Sequence, residues 1–162
     1  MAASSLFQTL QQGVLIENRK IMLPWGTDMA ELVRHCKPDH IETSPVISEL
    51  FWSGPVVLAG LSGAALEAQV GPELPLTQVW VWLERGYSDH SAESKFRSTY
   101  RHLQRLFGSP IPKIKDIDEG ELEYEKIFRW KQNGVEISLM LKLGPEFGDY
   151  SYGCLVMIEK RA

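Results

Sequence analysis

The chain has 162 residues, 44% of them apolar and 23% charged, the composition of one ordinary soluble globular domain. Thirteen glycines, nine prolines and two cysteines exclude a collagen-like chain and a cysteine scaffold. Seventeen Lys and Arg against twenty-one Asp and Glu leave a net charge of -4, which argues against a general nucleic-acid binder because phosphate contacts require clustered positive charge.

The first eighteen residues carry no Lys or Arg and no apolar run longer than four, so neither a secretory signal nor a basic transit peptide is expected. No stretch approaches the ~20 apolar residues that cross a bilayer. A cytoplasmic chain away from membranes follows, with Cys36 and Cys154 as reduced core thiols.

Residues 1–12 read as a Ser- and Gln-rich arm, either frayed or a short helix with Leu6, Phe7 and Leu10 on one stripe. Gly13–Glu17 and Ile21–Leu23 then predict two short strands joined by a polar turn and ended by Pro24. Thr27 is the expected N-cap of a short helix whose apolar stripe is Met29, Leu32, Val33 and Cys36, stopped before Pro38. The stretch 38–54 has no clean period and reads as loop plus one irregular strand. Residues 56–59 and 64–70, flanking Gly60-Leu61-Ser62-Gly63, predict a hairpin. Gln78–Glu84 is apolar on both faces and predicts a strand in the middle of the sheet.

The clearest helix spans about Ser91–Phe107, capped by Asp89 or Ser91 and stopped by Gly108 and Pro110. Beyond a linker, alternation in 122–130 and 135–143 surrounds Asn133-Gly134, the strongest short-range hairpin signal. A two-residue turn there makes paired positions sum to 267, so that Trp130 faces Ile137, Phe128 faces Leu139 and Glu125 faces Lys142. A last strand over 150–159 completes a C-terminal three-stranded meander. The fold class predicted is α+β: one domain over 1–162, two-layered, with a mostly antiparallel sheet and two main helices on one face.

Several groups could carry chemistry. His35-Cys36-Lys37-Pro38-Asp39-His40 gathers four potential metal ligands, but Cys36 belongs to the apolar stripe and no second cluster completes a site. Neither metal nor cofactor is expected. A nucleophilic Cys36 would need an oriented base, and nothing in the spacing links it to His90 or His102. Arg97, Arg101 and Arg105 recur at i, i+4, i+8 on the outer face of the second helix. A solvated charged face accounts for them, with no exposed aromatic series between them for base stacking. Between Asp116 and Glu125 lie six acids. As a strand, Glu121, Glu123 and Glu125 would share one face at about 6.6–7 Å spacing, a stripe suited to a basic protein surface.

A compact acidic α+β chain with such a stripe resembles, in general character, the immunity proteins with which bacteria neutralise toxins, some of which mask basic nuclease sites. The resemblance implies a non-enzymatic protein whose partner carries a basic surface, with Asp118, Glu119, Glu121 and Glu123 as the contact residues read from the charge map. Nucleic acid and membrane are not expected partners, and the oligomeric state stays open. The alternatives are an enzymatic or small-ligand domain, with a pocket formed by Trp25, Trp52, Trp80 or Trp82 and His90, and a structural or secretion-accessory module.

Overall fold

A computed structural model describes residues 3–86, 89–111, 126–142 and 152–161. Helix α1, Ala3–Gln12, takes up the N-terminal stretch, and burial of Leu6, Phe7 and Leu10 shows why it is a helix rather than a frayed arm. Its terminal carbonyls are taken by Trp25, whose indole Nε1 donates to Leu10 O at 2.6 Å and whose backbone N–H donates to Gln12 O at 3.0 Å. Gly13 then turns the chain directly into strand β1, Gly13–Ile16, where a Cβ would stand 2.2 Å from the Leu23 carbonyl oxygen. Strand β2, Ile21–Pro24, pairs with β1 in the expected antiparallel hairpin, as a two-stranded sheet of its own.

The next helix departs from expectation at its start and in its winding, and stops before Pro38 as expected. Helix α2, Met29–Glu31, is capped by Asp28, whose carboxylate accepts from the Glu31 N–H at 2.9 Å. Thr27 is not the cap; its hydroxyl donates back to Pro24 O. The chain continues as a π-helical turn, Leu32–Cys36, and leaves through Lys37 at φ 45°. The wide turn leaves Cys36 O to the Trp52 indole at 2.8 Å, while the Cys36 thiol donates to Met22 O at 3.4 Å. Leu32 and Cys36 are buried, as the stripe requires.

Residues 38–54 hold two strands instead of one, β3 (His40–Thr43) and β4 (Ser48–Ser53), paired antiparallel. The turn between them is built by Ser44, whose hydroxyl accepts from Ile47 N–H at 3.1 Å while its own N–H donates to Ile47 O. The expected 56–59/64–70 hairpin is also replaced. Strand β5, Val56–Val57, pairs only with β6, Leu61–Ser62, and β7, Ala65–Val70, joins β4 instead. The cause is local: Leu58, Ala59 and Gly60 are all left-handed (φ 50°, 58° and 96°) and reverse the chain within three residues. The Glu17 carboxylate stabilises this reversal by accepting from the Ala59 and Gly60 N–H groups at 2.6 and 3.0 Å.

Strand β8, Gln78–Gly86, occupies the central position expected of it, in a seven-stranded sheet of order β3-β4-β7-β8-β11-β10-β9. The last three strands are β9 (Lys126–Gln132), β10 (Val135–Lys142) and β11 (Tyr152–Lys160), and they form the predicted meander. Its register is the one derived from Asn133-Gly134: Trp130 faces Ile137 and Phe128 faces Leu139. The expected pairing of Glu125 with Lys142 lies outside the described residues. Neighbouring strands throughout this sheet are antiparallel, so the chain is α+β with a mostly antiparallel sheet.

Helix α3, Asp89–Phe107, packs against β8, β10 and β11 and leads back to the β9 edge. Val79, Val81, Val156, Ile158, Ile137 and Leu139 belong to the main core beside Phe96 and Leu103 of α3. On the other side of these strands Ile127, Met140 and Leu155 form a second cluster with Trp80, Trp82 and Met157 packed against it. Strand β10 is therefore buried on both faces, and even Glu136 is enclosed, ion-paired to Arg129 and Arg161 at 3.3 Å each.

Candidate functional site

Among the described residues, a concavity of about 440 Å³ lies between α3 and the edge strand β9. Helical periodicity brings Phe96 and Tyr100 to its floor and Arg97 and Arg101 to its rim, because residues three to four apart share a side of a helix while their neighbours turn outward. Strand alternation does the same on β9, placing Lys126 and Phe128 on one face. Leu141 of β10, fully buried, closes the bottom.

The floor is a stack of rings. Tyr100 and Phe128 approach to 4.7 Å between centroids, Phe96 and Phe128 to 5.8 Å, and Tyr100 and Trp130 to 6.1 Å. Two backbone links fix the walls: the Trp130 indole donates to Gly108 O at 2.8 Å, and Ile111 N–H donates to Arg129 O at 2.7 Å. The helix end is thereby tied to the strand it faces, so the concavity is held open before anything enters it.

The rim is cationic and weakly neutralised. Arg97, whose side chain is 71% exposed, meets only Glu93 at 3.4 Å, while Arg101 and Lys126 form no ion pair among the described residues. A second hollow of about 330 Å³ shares Glu93, Arg97 and Arg101 with the first and is lined also by His90, Ser94 and Ser98, beside it along the same stretch of helix. The composite groove thus has an apolar aromatic half and a polar half, with two arginines at the boundary. It can receive a ligand that carries negative charge next to an apolar group. The third arginine of the row, Arg105, is turned to its own helix and donates to Arg101 O.

No family model, curated protein or solved structure matches this chain.

The groups considered for catalysis are committed elsewhere. His102 bonds Leu58 O at 2.8 Å across to the left-handed turn. Cys36 and Cys154 are free and buried, and burial pushes the Cys36 thiol up and the Cys154 thiol up to about 12. Asp39, from the candidate metal cluster, forms a two-pronged pair with Arg19 and accepts from Ser53 N–H. His40 faces Glu42, and no grouping of three metal-ligating side chains occurs among the described residues.

The tryptophans do not converge with His90. Trp52 is wholly buried, Trp25 caps α1, and Trp82 donates to Glu67 at 3.1 Å on the far side of the sheet from α3. Asp118, Glu119, Glu121 and Glu123 lie outside the described residues. The feature that sequence reasoning missed is the aromatic floor. Its rings come from α3 and from a strand more than twenty residues further on, so no window of sequence contains both.

Proposed function

We propose that this chain is a non-enzymatic binding domain that holds a protein partner through opposed charge. The observation that carries the reading is the α3–β9 groove, an aromatic floor bordered by Arg97, Arg101 and Lys126 on a chain of net charge -4. Exposed cations beside an apolar surface, of which Arg101 and Lys126 form no ion pair among the described residues, serve recognition better than stability, because exposed charges contribute little to the fold. The two free, buried thiols support a reducing, cytoplasmic setting. The ring contacts between α3 and β9 support a two-layer arrangement in which α3, one of the two main helices expected, lies over one face of the sheet.

A second reading rests on the acidic run. Six acids between Asp116 and Glu125, immediately ahead of the edge strand, favour a partner with a basic surface engaged by Asp118, Glu119, Glu121 and Glu123. In its narrowest form, that partner is a toxin masked as immunity proteins mask theirs.

One experiment separates the two. A partner captured from the native host is tested for association rate against Arg97→Glu with Arg101→Glu, and against Glu121→Lys with Glu123→Lys. Slowed association in the arginine variant, with an unchanged melting temperature, supports the groove; slowing in the glutamate variant alone supports the acidic run. An enzymatic activity retained by both variants, with no effect on any association, overturns the binding reading.

A further inference from the structure

We infer that the α3–β9 groove receives an extended acidic segment of a partner protein, with two carboxylates two residues apart and a large apolar or aromatic side chain beside them. This rests on the binding-domain reading and names the chemistry of what is bound.

Three features of the groove select this occupant. The first is length. The two hollows share Glu93, Arg97 and Arg101 and together follow α3 from His90 to Arg101, about 16 Å at the helical rise of ~1.5 Å per residue. That distance matches about five residues of extended chain at ~3.3 Å each, whereas a compact anion would fill only one end.

The second feature is spacing. Arg97 and Arg101 are one helical turn apart, about 6 Å along the axis. In an extended segment, side chains on the same side recur every ~6.6–7 Å, so an acid-x-acid pattern meets both guanidiniums in register. Lys126 on β9 adds a third cation on the opposite wall.

The third is the junction of polarity. Beside the arginines, at the same levels of the helix, lie Phe96, Tyr100, Phe128 and Leu141, where an aromatic side chain can lie against rings already held in place. Glu93 lines both hollows and disfavours a polymer carrying charge at every unit. A peptide can place neutral residues there, and a nucleic-acid strand cannot.

The test uses the whole chain and dye-labelled ten-residue peptides, read by fluorescence anisotropy. The probe peptide carries Glu-Ala-Glu followed within two residues by Phe, and its controls replace both Glu by Gln, or Phe by Ser. A single-stranded ten-nucleotide DNA is the fourth probe. The expected result is saturable binding of the first peptide, weakened about tenfold by either control substitution and by Arg97→Gln with Arg101→Gln, and weakened again by salt. Melting temperatures of the variant and the parent are expected to agree, because both arginines lie at the surface. Equal binding of the Gln control, unchanged binding by the arginine variant, or tighter binding of the DNA overturns the inference. If the peptides fail while capture of the native partner still depends on Arg97 and Arg101, the ligand chemistry is overturned and the binding-domain reading stands.

Discussion

At the scale of single residues, polar side chains in this chain act mainly as fasteners of irregular backbone. Asp39 is the clearest case. The hydrogen bonds from Arg19 and from the Ser53 N–H, with the Arg19 charge, hold its carboxyl down to about 2 from an ordinary 3.8. A depressed carboxylate contributes stability that is present above its unfolded value and lost as pH falls through the folded one. Unfolding midpoints are therefore expected to drop between about pH 4 and pH 2, and Asp39→Asn is expected to flatten that part of the profile. At neutral pH the same substitution costs about 1 kcal/mol or less, since water screens a pair this exposed. An acid slope identical in the variant would remove the pair from the account. The thiols make a second prediction at this scale. With Cys36 raised by burial and Cys154 pushed up to about 12, neither supplies thiolate at pH 8 in the folded chain. An aromatic disulfide reagent should find no reactive thiol before unfolding and two after it; fast reaction of either thiol in the native state would contradict this.

At the scale of elements, what the sequence made legible divides by how local the signal is. The β9–β10 register was readable because Asn133 and Gly134 alone fix a two-residue turn, and both adopt the left-handed geometry it needs, φ 52° and 74°. Replacing Gly134 by Ala should cost about 1–2 kcal/mol, since its φ is one that L-residues adopt with strain and its Cβ would stand 3.2 Å from Arg161 O. Asn133→Gly should be nearly neutral, and urea midpoints for the two variants give the comparison. The central place of β8 was readable because its apolar residues alternate onto two cores. By contrast, β3–β4 was hidden because its turn is made by a serine hydroxyl, and its inward positions begin with Ser48, a residue whose burial no hydropathy pattern announces. The β5–β6 turn was hidden because Leu58 and Ala59 take a geometry expected of glycine, and the Glu17 carboxylate that stabilises it lies about forty residues away. The capping of α2 by Asp28 rather than Thr27 was a choice between adjacent residues with similar oxygens, decided when Thr27 turned back to Pro24.

At the scale of the whole molecule, charge and aromatic groups are brought together by topology. Because α3 carries the chain from the central strand β8 back to the edge strand β9, its arginine-bearing side meets Phe128 and Lys126. The arginine row was visible as a periodicity, but read in sequence it was a solvated face. Only the strand arriving from elsewhere gives it an apolar floor. Binding in such a groove should depend strongly on salt, because its cations lie at the surface. Substituting Phe128 by Leu should weaken it further with only a small loss of stability, since a half-buried ring is exchanged for a smaller apolar group. Binding in the groove is read residue by residue when the isotope-labelled chain is titrated with the Glu-Ala-Glu-Phe peptide and amide chemical shifts are followed. Saturable shifts are expected on His90–Arg101 of α3 and Lys126–Phe128 of β9, abolished by Arg97→Gln with Arg101→Gln. Shifts confined to the β3–β4 hairpin, or no shift in the groove at saturating peptide, would contradict binding there.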